Sequence, residues 1–317
     1  MNWQIGVCVL FSLGGFAKCC TGQSESQEYS GLRDVAISNA ESWLSFDVLI
    51  RRDLFYPSFP EKGSMKRYTR LFLDLKANKC FGVDLLEAKR PEEEGGNQTV
   101  LVGFTCSEDG AMEYLYPGGQ HSSRKGAVSM LDSWEIPDLR CIGLYSFPTK
   151  FGGPIDGENW ANRSKHRNRF DVPIISNATK LVGRVMTNKE FIQVSFPGKK
   201  VNSSYHFDTK TVMPERSAAS VIRDGKTVPS FEEDYVWKQI ESIYVPTSII
   251  RESYFAIKDP TVDGKPVRSV CVEMAAIHWF SLNEPFDKSR FDSNQLKDIA
   301  KLRKLVNPKE TGATEID

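Results

Sequence analysis

Few residues in this chain are spaced for chemistry. Of its seven cysteines, three lie in the first 20 residues, and Cys80, Cys106, Cys141 and Cys271 follow. In an oxidising compartment four cysteines allow three pairings. One pairing has geometric support. If residues 80–87 and 99–106 are neighbouring antiparallel strands closing symmetrically about Glu93, Cys80 stands opposite Cys106. Directly opposed strand residues lie ~4.5–5.5 Å apart, within reach of a disulfide. The alternative is four small apolar side chains buried in strands. No Cys-x-x-Cys or His-x-x-x-His spacing occurs, so no metal is expected.

The remaining candidates are weaker. Glu92-Glu93-Glu94 offers adjacent carboxylates, the groups that glycoside hydrolysis uses in pairs, but at a hairpin tip they rarely converge on one substrate. The four histidines are His121, His166, His206 and His278, and His278 precedes Trp279-Phe280 at the end of an apolar strand. A buried, hydrogen-bonded imidazole is the ordinary outcome there. No Gly-x-Ser-x-Gly elbow, Gly-x-Gly-x-x-Gly turn or Gly-Lys-Ser/Thr loop is present. Neither a catalytic residue nor a cofactor is therefore assigned. Lys165-His166-Arg167-Asn168-Arg169 is the sharpest basic cluster, and it lacks interleaved aromatics. With 41 Lys and Arg against 41 Asp and Glu, the chain has no electrostatic footprint for nucleic acid.

The elements that must position these residues are mostly strands. Phe46, Val48 and Ile50 alternate along residues 45–50, and Leu71, Leu73 and Leu75 along residues 69–75. Phe81, Val83 and Leu85 alternate in residues 80–87. Asp-Gly pairs at 109–110, 224–225 and 263–264 read as tight turns between apolar runs. Strands at this spacing, with few helices between them, argue for one continuous antiparallel sheet. A helix is expected at each end. Leu32, Val35, Ala36, Ala40 and Trp43 fall at helical steps. Ser293 could cap a second helix carrying Leu296, Ile299 and Leu302, with Pro308 as its stop. Residues 146–171 read as a loop-like interruption, and 307–317 as a tail.

Ahead of all this, residues 5–17 form a charge-free apolar run, followed at once by small and polar residues. Residues 1–22 read as an export signal, too short for the ~20 residues of a membrane span. Lys18 precedes Cys19, which spoils a lipid-attachment site. The expectation is a soluble periplasmic or extracellular protein. After the signal come a polar leader at 23–31 and one domain at 32–306, with 40% hydrophobic and 11% aromatic residues in the chain. No later apolar run is long enough to span a bilayer, and the oligomeric state is not legible.

The pattern from Leu32 to Val306 resembles the periplasmic lipoprotein-localisation-factor (LolA-like) superfamily. The resemblance rests on four features: the helix ending at Trp43, the strand starting at Ser45, Tyr205-His206-Phe207-Asp208 with Pro214 beyond it, and Trp237-Lys238-Gln239-Ile240 followed by Tyr244-Val245-Pro246-Thr247. It implies a mainly β (α+β) fold: a strongly curved antiparallel sheet, or incomplete barrel, closed by helices around an apolar cavity that receives acyl chains. On that reading the chain is a non-enzymatic binder of an acyl chain, lipid or lipoprotein. Phe46, Val48, Ile50, Leu71, Leu73 and Leu75 would line its groove. The competing readings are an exported hydrolase acting on envelope polysaccharide, and an envelope interaction protein with a filled core.

Overall fold

The structure, a computed structural model, describes residues 42–74, 76–77, 79–89, 96–107, 110–116, 120–124, 139, 184–187, 191–196, 201–223, 225–262, 265–307 and 311, together with 35, 38 and 39. The expected export signal, leader and 146–171 interruption lie outside the described residues, as does most of the tail.

Among the described residues thirteen strands form one antiparallel sheet. They are β1 (Ser45–Phe55), β2 (Ser64–Asp74), β3 (Lys79–Lys89), β4 (Gln98–Ser107), β5 (Gly110–Tyr116), β6 (Gln120–Arg124), β7 (Arg184–Thr187), β8 (Phe191–Phe196), β9 (Val201–Asp208), β10 (Pro214–Arg223), β11 (Lys226–Ile240), β12 (Ile243–Val262) and β13 (Lys265–Leu282). Their spatial order is β6-β5-β4-β3-β2-β1-β13-β12-β11-β10-β9-β8-β7. The chain therefore meanders outward from the centre, crosses from one edge to the other, and meanders back. Among the described residues the first and last strands pair at the centre, and the sheet is not closed, with β6 and β7 at its two edges.

Turn chemistry explains the returns. Gly225 joins β10 to β11 at φ 72°, and Glu241 joins β11 to β12 at φ 55°. The ladders from β1 to β4 run without interruption. Register shifts break β1·β13, β12·β13, β11·β12, β10·β11 and β9·β10. Each such bulge bends its strand and adds twist.

Alternation along the strands gives the sheet two buried faces. On one, Phe46, Val48, Ile50, Leu71, Leu73, Cys80, Phe104, Ile277 and Trp279 form a cluster with Trp43, Leu139 and Tyr235. On the other, Phe72, Phe81, Val83 and Leu101 pack beneath Leu296, Leu302 and Val306. These are called here the tryptophan face and the helix face. Two glycines allow the close approach on each. Gly82 lies so near the Phe104 ring that a Cβ there would stand 2.1 Å from the ring's Cζ. A Cβ at Gly103 would stand 2.9 Å from a Leu302 methyl.

The carboxy-terminal helix differs from the expectation in its start. The helix α1 spans Ile299–Val306, and Asp298, not Ser293, caps it by accepting from Lys301 N at 3.0 Å. Residues Ser293–Lys297 form a separate 3-10 turn capped by Asp292. A capping carboxylate every few residues lets the chain stop and restart its helix, which leucine spacing alone does not reveal. The amino-terminal helix expected over 32–43 is not supported. Most of that segment lies outside the described residues, and what is described is a last turn in which Ser42 N bonds to Ser38 O. Side-chain amides fix this end to the sheet. Asn39 exchanges two hydrogen bonds with the Tyr244 backbone at 2.8 and 2.9 Å, imitating a strand neighbour. Asn283, in the left-handed region at φ 59°, accepts from Leu44 N and donates to Ser42 O. No helix among the described residues is long and apolar enough to cross a membrane.

Candidate functional site

The site follows from what period two does to β1. Phe46, Val48 and Ile50 point to the tryptophan face, and the next residue of the same parity is Arg52. The register carries the change of character across the sheet. Val48 pairs with Leu71 and Ile50 with Thr69, whereas Arg52 pairs with Arg67. One face thus has an apolar field and, directly beside it, a charged row.

The apolar field gathers five of the six residues expected to line a groove. Phe46, Val48, Ile50, Leu71 and Leu73 fall in one cluster, each with 0–4% of its surface accessible. Leu75 lies outside the described residues. Aromatic edges organise the centre: Trp43 meets Phe46 at 5.9 Å and Trp279 at 5.1 Å, both nearly perpendicular. Trp279 Nε1 donates to Pro246 O at 2.7 Å. Trp43 Nε1 is buried without a hydrogen-bond partner.

The charged row crosses seven strands. Ser217, Glu233, Arg251 and Glu273 are successive Cα partners from β10 to β13. Arg52 continues the row on β1, with Nη1 3.7 Å from Glu273 Oε1. Arg67 follows on β2 and grips both Asp84 oxygens at 2.8 Å, while the Thr69 hydroxyl donates to Asp84 at 2.7 Å. At the other end Arg251 Nε stands 3.2 Å from Glu233 Oε1. Tyr235 donates to the second Glu233 oxygen at 2.5 Å and shares a 2.7 Å hydrogen bond with Ser217. Burial holds the Glu233 carboxyl above the usual glutamate range, against the pull of Arg251 and the two hydroxyls. Burial, followed by the nearby Glu233 charge, raises the Tyr235 hydroxyl well above its ordinary value. Tyr235 also belongs to the apolar cluster, so it joins the two fields.

The other sequence candidates are scattered. Cys80 is buried in the apolar cluster, and its Cα partner is Cys106, in the register that symmetric closure about Glu93 predicts. Glu92, Glu93, Glu94, Cys141, His166 and the 165–169 basic cluster lie outside the described residues. His278 sits on the opposite face, its ring 4.6 Å from that of Phe280, and burial lowers its basicity. His206 stacks on Phe191 at 4.6 Å and is likewise lowered by burial. Among the described residues no three His, Cys, Asp or Glu side chains gather as a metal site.

The residues that sequence reasoning missed are those of the charged row. Each sits in a different strand, so only register aligns them. The one available signal was parity, because Arg52 follows Phe46, Val48 and Ile50 on the same face.

No protein-family model matches the chain. No curated protein matches it either. Among solved structures, a DUF1329 family protein from Desulfovibrio piger aligns over 86% of this chain and 100% of its own, at 9% identity and TM-score 0.36. The Mycobacterium tuberculosis lipoprotein LppX aligns over 84% and 99%, at 8% identity and TM-score 0.25.

Proposed function

We propose that the chain is a non-enzymatic, exported binder of an amphiphile, taking an acyl chain of a lipid or lipoprotein against the tryptophan face. The observation that carries this reading is the adjacency of an apolar field and a charged row on one sheet face. An acyl tail lies against Phe46, Val48, Ile50, Leu71 and Leu73, and its polar end falls at Arg52 and beyond. These five apolar side chains are 0–4% accessible, so an acyl chain enters only where the packing of Trp43 and Trp279 over them opens. The buried carboxylates are held in ion pairs, Glu233 by Arg251 and Asp84 by Arg67, which favours binding over hydrolysis. The test is titration of the full chain with a fluorescent fatty acid. Saturable binding is expected. A second reading, a filled core without ligand, draws on the near-complete burial of the same five side chains. Absence of saturable binding would select it.

A further inference from the structure

The helix face is not covered alike along its width. Leu296, Leu302 and Val306 lie over it at β2, β3 and β4, on Phe72, Phe81, Val83 and Leu101. At β11, β12 and β13 the same face leaves Val236, Ile250 and Met274 exposed, with 57%, 41% and 39% of their surface accessible. An antiparallel sheet with one solvated face ordinarily places polar side chains at such positions. Register makes the three contiguous. Ile250 and Met274 are Cα partners, and Val236 pairs with Ser248, two residues before Ile250 on the same face of β12.

Two neighbouring rows cross the same four strands, β11, β12, β13 and β1. One row is Val236, Ser248, Ala276 and Arg51, and the next is Asp234, Ile250, Met274 and Asp53. The rows differ strand by strand. On β12 small Ser248 stands beside large Ile250, and on β13 small Ala276 stands beside large Met274. On β1 the cation Arg51 stands beside the anion Asp53, 2.9 Å away. On β11 Val236 stands beside Asp234, whose charge Arg216 balances from β10.

That pattern is complementary to itself. A second copy, turned over about a two-fold axis lying across the strands between the two rows, sets each row against the other row of its partner. Ile250 of each copy then faces Ser248 of the other, Met274 faces Ala276, and Asp53 faces Arg51. Large side chains meet small ones and anions meet cations, while Val236 meets an ion pair that is already neutral. Aligned sheets pack about 10 Å apart in this way. From β10 to β1, with one further row on each side, the surface spans about 24 by 27 Å, close to the ~800 Å² per partner of a standard interface. We propose that the chain forms a two-fold symmetric dimer through this surface, centred on Ile250 and Met274. The tryptophan face lies on the other side of the sheet, so the dimer stands or falls independently of acyl-chain binding.

The test is sedimentation velocity of the full chain from about 1 to 100 μM, where a reversible shift from monomer to dimer is expected. Met274 reports on the face without any substitution. Its oxidation by hydrogen peroxide, followed by peptide mass spectrometry, should slow severalfold at dimeric concentrations. Ile250→Lys, at an exposed position, should keep the melting temperature and stay monomeric. Arg51→Glu and Asp53→Lys should each weaken the dimer, and mixing the two should restore it as a heterodimer, because the facing charges then attract. A monomer throughout the range overturns the proposal and leaves the face to a different partner. A dimer in which Met274 oxidises at the monomer's rate, or which Ile250→Lys leaves intact, overturns it as well. Two weakened variants that do not recover on mixing overturn the two-fold arrangement.

Discussion

Trp43 and Trp279 meet edge to face, with ring centroids 5.1 Å apart, at the seam where the first strand of the sheet pairs with the last. Trp43 lies two residues before β1 and Trp279 within β13, so their contact closes the meander and centres the apolar field. Trp279→Ala removes a ring that touches both Trp43 and Phe46. A loss of about 3–5 kcal/mol is expected, measured by urea unfolding. A loss within experimental error would mean that the two ends of the chain are joined by backbone pairing alone.

Gly82 sits beneath the Phe104 ring, which leaves no space for a methyl group. Gly82→Ala should therefore cost about 1–3 kcal/mol, since the ring would have to leave its rotamer or the strands would have to part. Adding Phe104→Leu to Gly82→Ala should cost less than the two single changes together, because the smaller side chain makes room. Strict additivity in the unfolding curves would contradict the packing described.

Cys80 and Cys106 are Cα partners across β3 and β4, and in an oxidising compartment they are expected to form a disulfide. Non-reducing peptide mapping of exported protein should recover a linked pair. Two free thiols would reject it. Where the bond forms, its reduction should cost on the order of 2–4 kcal/mol.

Glu233 gives stability a pH signature. Its folded-state affinity for protons is raised by burial, so its contribution is fully present below the ordinary glutamate value and is lost as pH rises through the folded value. Stability of the unaltered protein should therefore fall relative to Glu233→Gln as pH rises above about 4.3. Chemical denaturation across that range measures the difference. A constant difference would show that Glu233 titrates alike in both states.

Much of the sheet was legible because alternation is a local signal. Phe46, Val48, Ile50, Leu71 and Leu73 announce their shared face by parity, and the Cys80 register follows from symmetric closure of one hairpin. The crossing from one edge to the other was not legible, since nothing local in β6 or β7 says that they are edges. Neither was the capping of α1, where Asp298 displaced the expected start by competing locally for backbone N–H groups. The charged row was hidden for a different reason. Arg251, Glu273 and Arg52 are ordinary polar residues in three strands, and they acquire meaning only when pairing brings them level.

The central claim is that the tryptophan face carries an amphiphile. The most direct measurement is organic extraction and mass spectrometry of the protein purified without detergent. Near-stoichiometric recovery of an acyl-chain lipid is predicted. Recovery of no lipid, together with failure to bind a fluorescent fatty acid, would contradict it and leave the apolar field as packed core alone.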